Sequence, residues 1–307
     1  MKTLNLALAT LMSLMTIGCS ATKATANQGK LYAFESDASG FNTKNYFYDN
    51  GQEVVVFDAQ FTPELARKSL EFLREKTKNP ISYVVLTHPN PDKFNGARVF
   101  QDLGAKVVAS EKTAKNLAGV HAYKKYFFVE VAKMFTDKTY PELATVDQTF
   151  EKEESLVLGN GEVIELRELS NPGVSTNQTV AFIPGKKALV VGDLVHHKAH
   201  AWLEGGIVGG KATPTIKGWI ADLFEVKGLY PAATQVYGGR GEVARLDLAV
   251  DAQTAYLAKA DEVVGRLAKK SGDQTKAIVE ELEKAFPDYA LSYMIQYGVY
   301  GLVQSKQ

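Results

Sequence analysis

Apolar residues recur along this chain in two rhythms, and the switches between them mark its elements. Residues 31–34, 45–48 and 54–58 are short runs of aromatic and β-branched side chains, separated by Gly40 and by an Asp49-Asn50-Gly51 turn, and read as strands. Thr62 then reads as a helix N-cap with Pro63 at the first helical position. Ala66, Leu70 and Leu73 share one face of a helix that runs to about Lys78. Residues 81–86 form a buried-strand run that stops at Thr87-His88-Pro89-Asn90-Pro91-Asp92-Lys93, where two prolines forbid regular pairing. Polar side chains are thus presented from a loop at the end of a strand, a frequent place for chemistry.

A helix over 95–103, a strand over 105–109 and a helix after Ser110 continue a β-α-β rhythm, which lays helices against a sheet. Residues 121–135 extend the helical pattern, with no evident surface to pack on. Strand patterns return at 156–158, 162–166, 179–183 and 188–191, joined by hairpin turns at Gly159-Asn160-Gly161 and Gly185-Lys186-Lys187. Ile216, Trp219, Ile220, Leu223 and Phe224 make the stripe of a core-facing helix. Residues 234–237 are one more strand, and 242–304 read as helices broken near Gly272 and Pro287. Two strand-rich blocks, each followed by helices, predict two sheets packed face to face with helices outside.

The first residues depart from this pattern. Lys2, an uncharged and mostly apolar run from Leu4 to Ile17, and the small residues Gly18 and Cys19 have the parts of an export signal. The run is shorter than the about 20 residues a spanning helix requires. The lone cysteine follows Thr16-Ile17-Gly18, which resembles the lipobox of bacterial lipoproteins, with Thr16 where Leu is usual. That resemblance implies a signal peptide over 1–18, acylation of Cys19, a small polar tether over 19–29 and one domain over 30–307, held at the periplasmic side of the outer membrane. An ordinary secretory signal, leaving a soluble periplasmic protein, is the alternative. Loss of Lys2 changes 35 basic against 35 acidic residues to 34 against 35, a balance that offers no basic face to nucleic acid. With a single cysteine the core has to hold the fold without intramolecular disulfides.

Four spaced segments carry a further likeness. The strand ending in Phe57-Asp58-Ala59 with the later loop from Thr87 to Lys93, the turn Gly173-Val174-Ser175, the strand end Gly192-Asp193, and Tyr237-Gly238-Gly239-Arg240-Gly241 together resemble the metallo-β-lactamase superfamily, over about 31–241. The resemblance implies an α/β (α+β) fold, a four-layer αββα sandwich with additional C-terminal helices, and an active site along one edge of the sheets. It also shows departures. The family's His-x-His-x-Asp-His loop is matched by His88, Asn90, Asp92 and Lys93, the next histidine by Val174, the later aspartate by Asp193 and the last histidine by Arg240.

Valine cannot ligate a metal, an amide is a poor zinc donor, and a protonated Lys or Arg puts positive charge where a cation would sit. Asp92 and Asp193 would be costly to bury alone, and Lys93 and Arg240 return two positive charges to the same region. The site is therefore expected to be an ion-pair cluster, in an exported lipid-anchored pseudoenzyme or ligand-binding protein. Its partners are then the membrane, through the anchor, and a small-molecule ligand, anionic if Lys93 and Arg240 attract it, with Asn90, His200 and Trp202 also lining the cleft. The alternative is a divergent hydrolase with one zinc or other divalent metal on His88, Asp92, Asp193 and a histidine after it, His196 first, Asp92 serving catalysis. His196, His197 and His200 read more readily as surface or hydrogen-bonded histidines without a metal. Tyr293, Tyr297 and Tyr300 share a helix face and suit either a pocket or core packing, while Lys124-Lys125 reads as a solvated pair. No dinucleotide or Walker loop and no Gly-x-Ser-x-Gly elbow is present.

Overall fold

The apolar runs fold into strands that sort into two sheets, in a computed structural model that describes residues 29–307; the export segment and Cys19 lie outside the described residues. In the first sheet β1 (Lys30–Glu35), β2 (Lys44–Asp49) and β3 (Val54–Phe57) pair antiparallel. β4 (Ile81–Val85), β5 (Lys106–Ser110) and β6 (Gln148–Phe150) then run parallel to β3. Parallel neighbours need crossovers. These are α1 (Pro63–Lys76), the short α2 (Pro91–Phe94) with α3 (Ala97–Gln101), and α4 (Glu111–Tyr126). The second sheet is an antiparallel meander, β7 (Glu153–Val157), β8 (Val163–Glu168), β9 (Thr179–Ile183) and β10 (Ala188–His197). A small hairpin of β11 (Gly206–Val208) and β12 (Lys211–Thr213) and then α5 (Ile216–Leu229) lead to β13 (Gln235–Gly241), which pairs parallel to β10. α6 (Leu246–Leu267), α7 (Thr275–Ala285) and α8 (Tyr293–Lys306) close the chain.

The period of two along each strand decides what each face meets. Val55, Phe57, Val85 and Val108 point inward and pack against Ile164, Leu166, Ala181 and Val190 of the other sheet. Their neighbours Val56, Val84 and Val107 point outward onto Ala66, Leu73, Phe100 and Leu117 of the first helical layer. On the far side Leu189 and Val191 meet Trp219 and Leu223 of α5 and Val250 and Leu257 of α6. The result is the expected αββα order with extra helices at the C-terminus.

Local chemistry sets the boundaries. Thr62 caps α1, its hydroxyl accepting from the Leu65 amide at 3.1 Å, and the helix ends at Lys76, two residues short of the expected stop, because Thr77 turns extended. Pro91 opens a single helical turn inside the segment read as irregular, so Asp92 and Lys93 project from α2. β10 runs well past Val191 through a bulge at Gly192, whose φ of +51° favours glycine. Asp193 therefore sits within a kinked strand. The β11–β12 hairpin, absent from the strand pattern, turns on Gly209 and Gly210 at φ +57° and +75°. Helical structure beyond α4 continues only as one wide turn, Phe127–Val131. Its packing surface is an aromatic cluster of Phe41, Phe61, Phe128, Tyr140 and Trp202 with Met294 of α8.

The glycines of β13 permit a close approach. A Cβ on Gly238 would lie 2.2 Å from the Val195 carbonyl oxygen, and one on Gly239 would lie 1.9 Å from Asp193 Oδ1. Gly239→Ala is expected to cost about 3 kcal/mol by forcing β13 away from the Asp193 carboxylate. Urea unfolding of the variant measures this, and an unchanged midpoint would mean that β13 has room the fold does not show.

Candidate functional site

Four buried charges meet where α2, the bulge of β10 and the end of β13 converge on the turn before β2. Lys93 Nζ lies 2.9 Å from Asp92 Oδ2 and 2.8 Å from Asp193 Oδ1. Arg240 reaches the same two residues, with one guanidinium nitrogen 2.7 Å from Asp193 Oδ2 and the other 2.9 Å from Asp92 Oδ2. Thr43 closes the ring, donating to Asp92 Oδ2 at 2.9 Å while accepting from Arg240 at 2.8 Å. Arg240 Nε donates to the Phe41 carbonyl at 2.7 Å. That carbonyl is aimed by a left-handed turn, Phe41 and Asn42 at φ +59° and +49°, a conformation non-glycine residues rarely adopt. Lys93 is fully buried, Asp193 and Arg240 nearly so, and Asp92 retains 6% exposure, so the cluster is almost wholly withdrawn from bulk solvent.

Burial alone would neutralise such groups, and mutual attraction outweighs it. Burial pushes the Asp92 carboxyl up, but Lys93 and Arg240 prevail and hold it down at about 2. Asp193 is likewise held well below the usual carboxylate range by Arg240 and Lys93 against burial. Against the same opposing effect of burial, Asp193 and Asp92 raise Lys93 and Arg240 above their ordinary values. All four are charged at neutral pH and sum to zero.

A second buried set touches this one. The Asp58 carboxyl, on a residue at φ +62°, accepts from the Thr87 amide at 2.9 Å and faces the Thr87 hydroxyl at 2.9 and 3.0 Å. Thr87 Oγ1 is 3.0 Å from His88 Nδ1, and His88 Nε2 lies 3.8 Å from Asp193 Oδ2. Burial raises Asp58 to about 7 and lowers His88 to about 4. A protonated Asp58 donates to Thr87, whose hydrogen then goes to His88 Nδ1, leaving a hydrogen on Nε2 directed at Asp193. An ionised Asp58 takes the Thr87 hydrogen instead, which places the imidazole hydrogen on Nδ1 and leaves Nε2 bare. The charge on Asp58 thus selects the tautomer of His88.

The residues expected as metal ligands come together only in part. His88, Asp92 and Asp193 are adjacent. His196 is buried with its Nε2 3.5 Å from Asp193 Oδ1 and neither ring nitrogen hydrogen-bonded. Bare imidazole nitrogens are what a metal would use, but the carboxylate oxygens it would share are already held by the Lys93 ammonium and the Arg240 guanidinium. A divalent ion at about 2 Å from those oxygens would overlap Lys93 Nζ and face both positive groups. Among the described residues no three His, Cys, Asp or Glu converge as ligands. The donor set does not fit a zinc centre. Val174 lies in the apolar core of the second sheet.

The remaining expectations divide. Trp202, Asn90 and Asp92 line a cavity of about 20 Å³ beside Asp193 and Arg240, room for a single water. His200 is turned away from it, packed against Tyr256 and Tyr289 with ring centroids 5.6 and 5.7 Å apart, after the chain leaves β10 at His197 and turns at Lys198 with φ +58°. It is not a cleft residue. Lys93 and Arg240 spend their positive charge on carboxylates, which removes the basis for attracting an anionic ligand there. Lys124 is buried, contrary to its reading as solvated: it pairs with Glu204 and lies over the Trp202 ring at 5.2 Å. Glu204 also accepts from Trp202 Nε1 at 2.9 Å and from the Tyr300 hydroxyl. Leu117, Val120 and Lys124 share one helical face, the signal that Lys124 points inward. Thr43, Thr87 and Glu204 carry no such mark, since their roles depend on partners distant in sequence.

The chain matches the family model described as metallo-beta-lactamase superfamily over residues 39–240. Among solved structures it is similar to a metallo-beta-lactamase from Pontibacter korlensis, at 21% identity over 74% of this chain and 94% of that one, with a TM-score of 0.55. It is similar too to the FIM-1 metallo-beta-lactamase from Pseudomonas aeruginosa in a mono-zinc form, at 16% identity over 75% and 90%, TM-score 0.55. A third is the DIM-1 metallo-beta-lactamase exposed to ceftazidime, at 16% identity over 77% and 95%, TM-score 0.55. No curated protein matches the chain significantly.

Removing one member of the cluster leaves an uncompensated buried charge. Lys93→Met is expected to lower unfolding free energy by about 3–5 kcal/mol, and a loss below about 1 kcal/mol, the range of exposed pairs, would show that the cluster is hydrated. Asp58 supplies a pH dependence. Its folded pKa, near 7, exceeds the unfolded value of 3.8, so its contribution is present below 3.8 and is lost as pH rises through about 7. Asp58→Asn keeps the left-handed backbone and mimics the protonated group. The wild-type urea midpoint should fall relative to that of the variant between pH 5 and 8; a constant difference would rule out a buried, protonated Asp58.

Proposed function

This chain belongs to the metallo-β-lactamase superfamily, and from that premise we propose that it is a metal-independent binding protein whose zinc centre has been replaced by an internal salt-bridge ring. The observation that carries the reading is the Lys93 ammonium, 2.9 and 2.8 Å from the carboxylates of Asp92 and Asp193. It supplies from within the chain the positive charge that those aspartates would otherwise take from a metal. Arg240 completes the exchange at the position matched to the family's last histidine. Without a bound cation to polarise a substrate or activate water, the cleft retains shape and apolar surface as its means of recognition.

We further propose that the protein is exported and held by a lipid on Cys19. The uncharged apolar run before the lone cysteine and the small polar residues after it support this. Among the described residues no helix is long and apolar enough to cross a membrane.

Protein purified without chelator and titrated with zinc, manganese and iron should carry well under one metal per chain and gain none. Near-stoichiometric metal that disappears in His88→Ala would overturn the proposal in favour of a single-metal hydrolase centred on His88, Asp92 and Asp193.

A further inference from the structure

Beside the salt-bridge ring the surface opens into a groove of about 480 Å³, within the range of small-molecule pockets. Its walls are a continuous succession of rings. Phe127 and Phe128 are 5.2 Å apart between centroids, Phe128 and Phe41 6.0 Å, Phe41 and Trp202 5.7 Å, Trp202 and Tyr297 6.4 Å, and Tyr297 and Tyr293 6.1 Å. Met134 and Tyr297 stand at the rim, 47% and 50% exposed, so large apolar groups face water around one concavity.

Charge decides what this groove suits. Asp92, Asp193, Arg240 and Lys124 line the small adjoining cavity that shares Phe41, Phe128 and Trp202 with the groove, and each positive group there is matched by a carboxylate: Lys93 and Arg240 by Asp92 and Asp193, Lys124 by Glu204. Outside, Lys133 pairs with Glu130 at 3.0 Å. The Tyr293 hydroxyl is engaged with Asn42 at 2.7 Å. No unpaired charge among these groups rewards an anion or a cation, while six rings and a methionine reward apolar area.

We infer that the aromatic groove lined by Phe41, Phe127, Phe128, Trp202, Tyr293 and Tyr297 binds a neutral, largely apolar small molecule, such as a long-chain alcohol or an uncharged ring system. This deepens the metal-independent binding role proposed above and names its ligand class. A concave site of this volume fits a small molecule better than a second copy of the chain, which would need a matching surface on the order of 800 Å² from each partner.

The test uses the neutral fluorophore N-phenyl-1-naphthylamine with the purified chain. Binding should raise its emission and quench that of Trp202, and dodecanol should displace it at least as well as dodecanoate. Met134→Glu and Tyr297→Glu, both at exposed rim positions, should each weaken binding by about tenfold or more by bringing a charge against apolar ligand surface. Val157→Glu, exposed on β7, should leave it unchanged. Absence of binding, indifference to both rim variants, displacement by dodecanoate but not dodecanol, or a concentration-dependent dimer that excludes the probe would overturn the inference. Metal content is read on the same preparation. Bound probe with stoichiometric zinc would sink the metal-independent reading and leave the groove, whereas metal-free protein without probe binding would sink the groove alone.

Discussion

Two cations and two carboxylates, buried together with no net charge, hold the functional edge of this molecule in one arrangement. The four charges come from three structural contexts: Asp92 and Lys93 from the turn of α2, Asp193 from the bulge of β10, Arg240 from β13. None can leave without stranding another in a dry environment, where an unpaired ion costs several kcal/mol. The ring therefore fixes the first sheet's loop against the second sheet's edge. It also dictates the glycine of β13, because only a missing Cβ leaves the Asp193 carboxylate room at Gly239.

The same constraint shapes the space next to it. A catalytic metal centre must keep an open coordination position for water or substrate. A self-neutralising ring has no such requirement, and the approach is filled instead: Phe41, Phe61, Phe128, Trp202 and Met294 close over the charges until room for about one water remains. The carbonyl of Phe41 accepts from Arg240 Nε while its ring packs on Trp202 at 5.7 Å, so one strained turn serves both the polar ring and the aromatic lid. Strain there is offset by two sets of contacts, which is how a left-handed phenylalanine persists.

Sequence carried the layers of this fold well and the site partly, and the division follows the range of the interactions involved. Alternation in residues 54–57 and the stripe of α5 are local, so the side that each residue buries can be read directly. The pairing of Lys93 and Arg240 with Asp92 and Asp193 was accessible because family positions told which distant residues meet, and charge conservation said what they must do. Three features resisted. His200 lies close in sequence to Asp193, but the bulge of β10 and the three residues after it rotate the ring toward Tyr256, a consequence of backbone torsion at Gly192 and Lys198. Thr43 and Glu204 are ordinary residues whose weight comes from partners 49 and 80 positions away. Lys124 is of a type that is usually solvated, although its helical phase with Leu117 and Val120 points inward.

The cluster also bears on why such a site is difficult to reverse. Restoring a histidine at position 240 alone would withdraw one positive charge and leave Asp92 and Asp193 to share Lys93, while restoring a histidine at position 93 alone would leave them to Arg240. Either intermediate carries an excess negative charge in a buried volume before there is a metal site able to neutralise it. Contacting residues in one ionic network are strongly non-additive, so each single step is destabilising even where the complete set could be tolerated. The exchange of metal for internal cations proposed above would in that sense be self-locking: the ring opposes an ion sterically and by charge, and the stability it contributes opposes the changes that would admit one. On the same proposed reading, the surface beyond the ring is free to vary, and the aromatic walls of the inferred groove are what would discriminate among ligands.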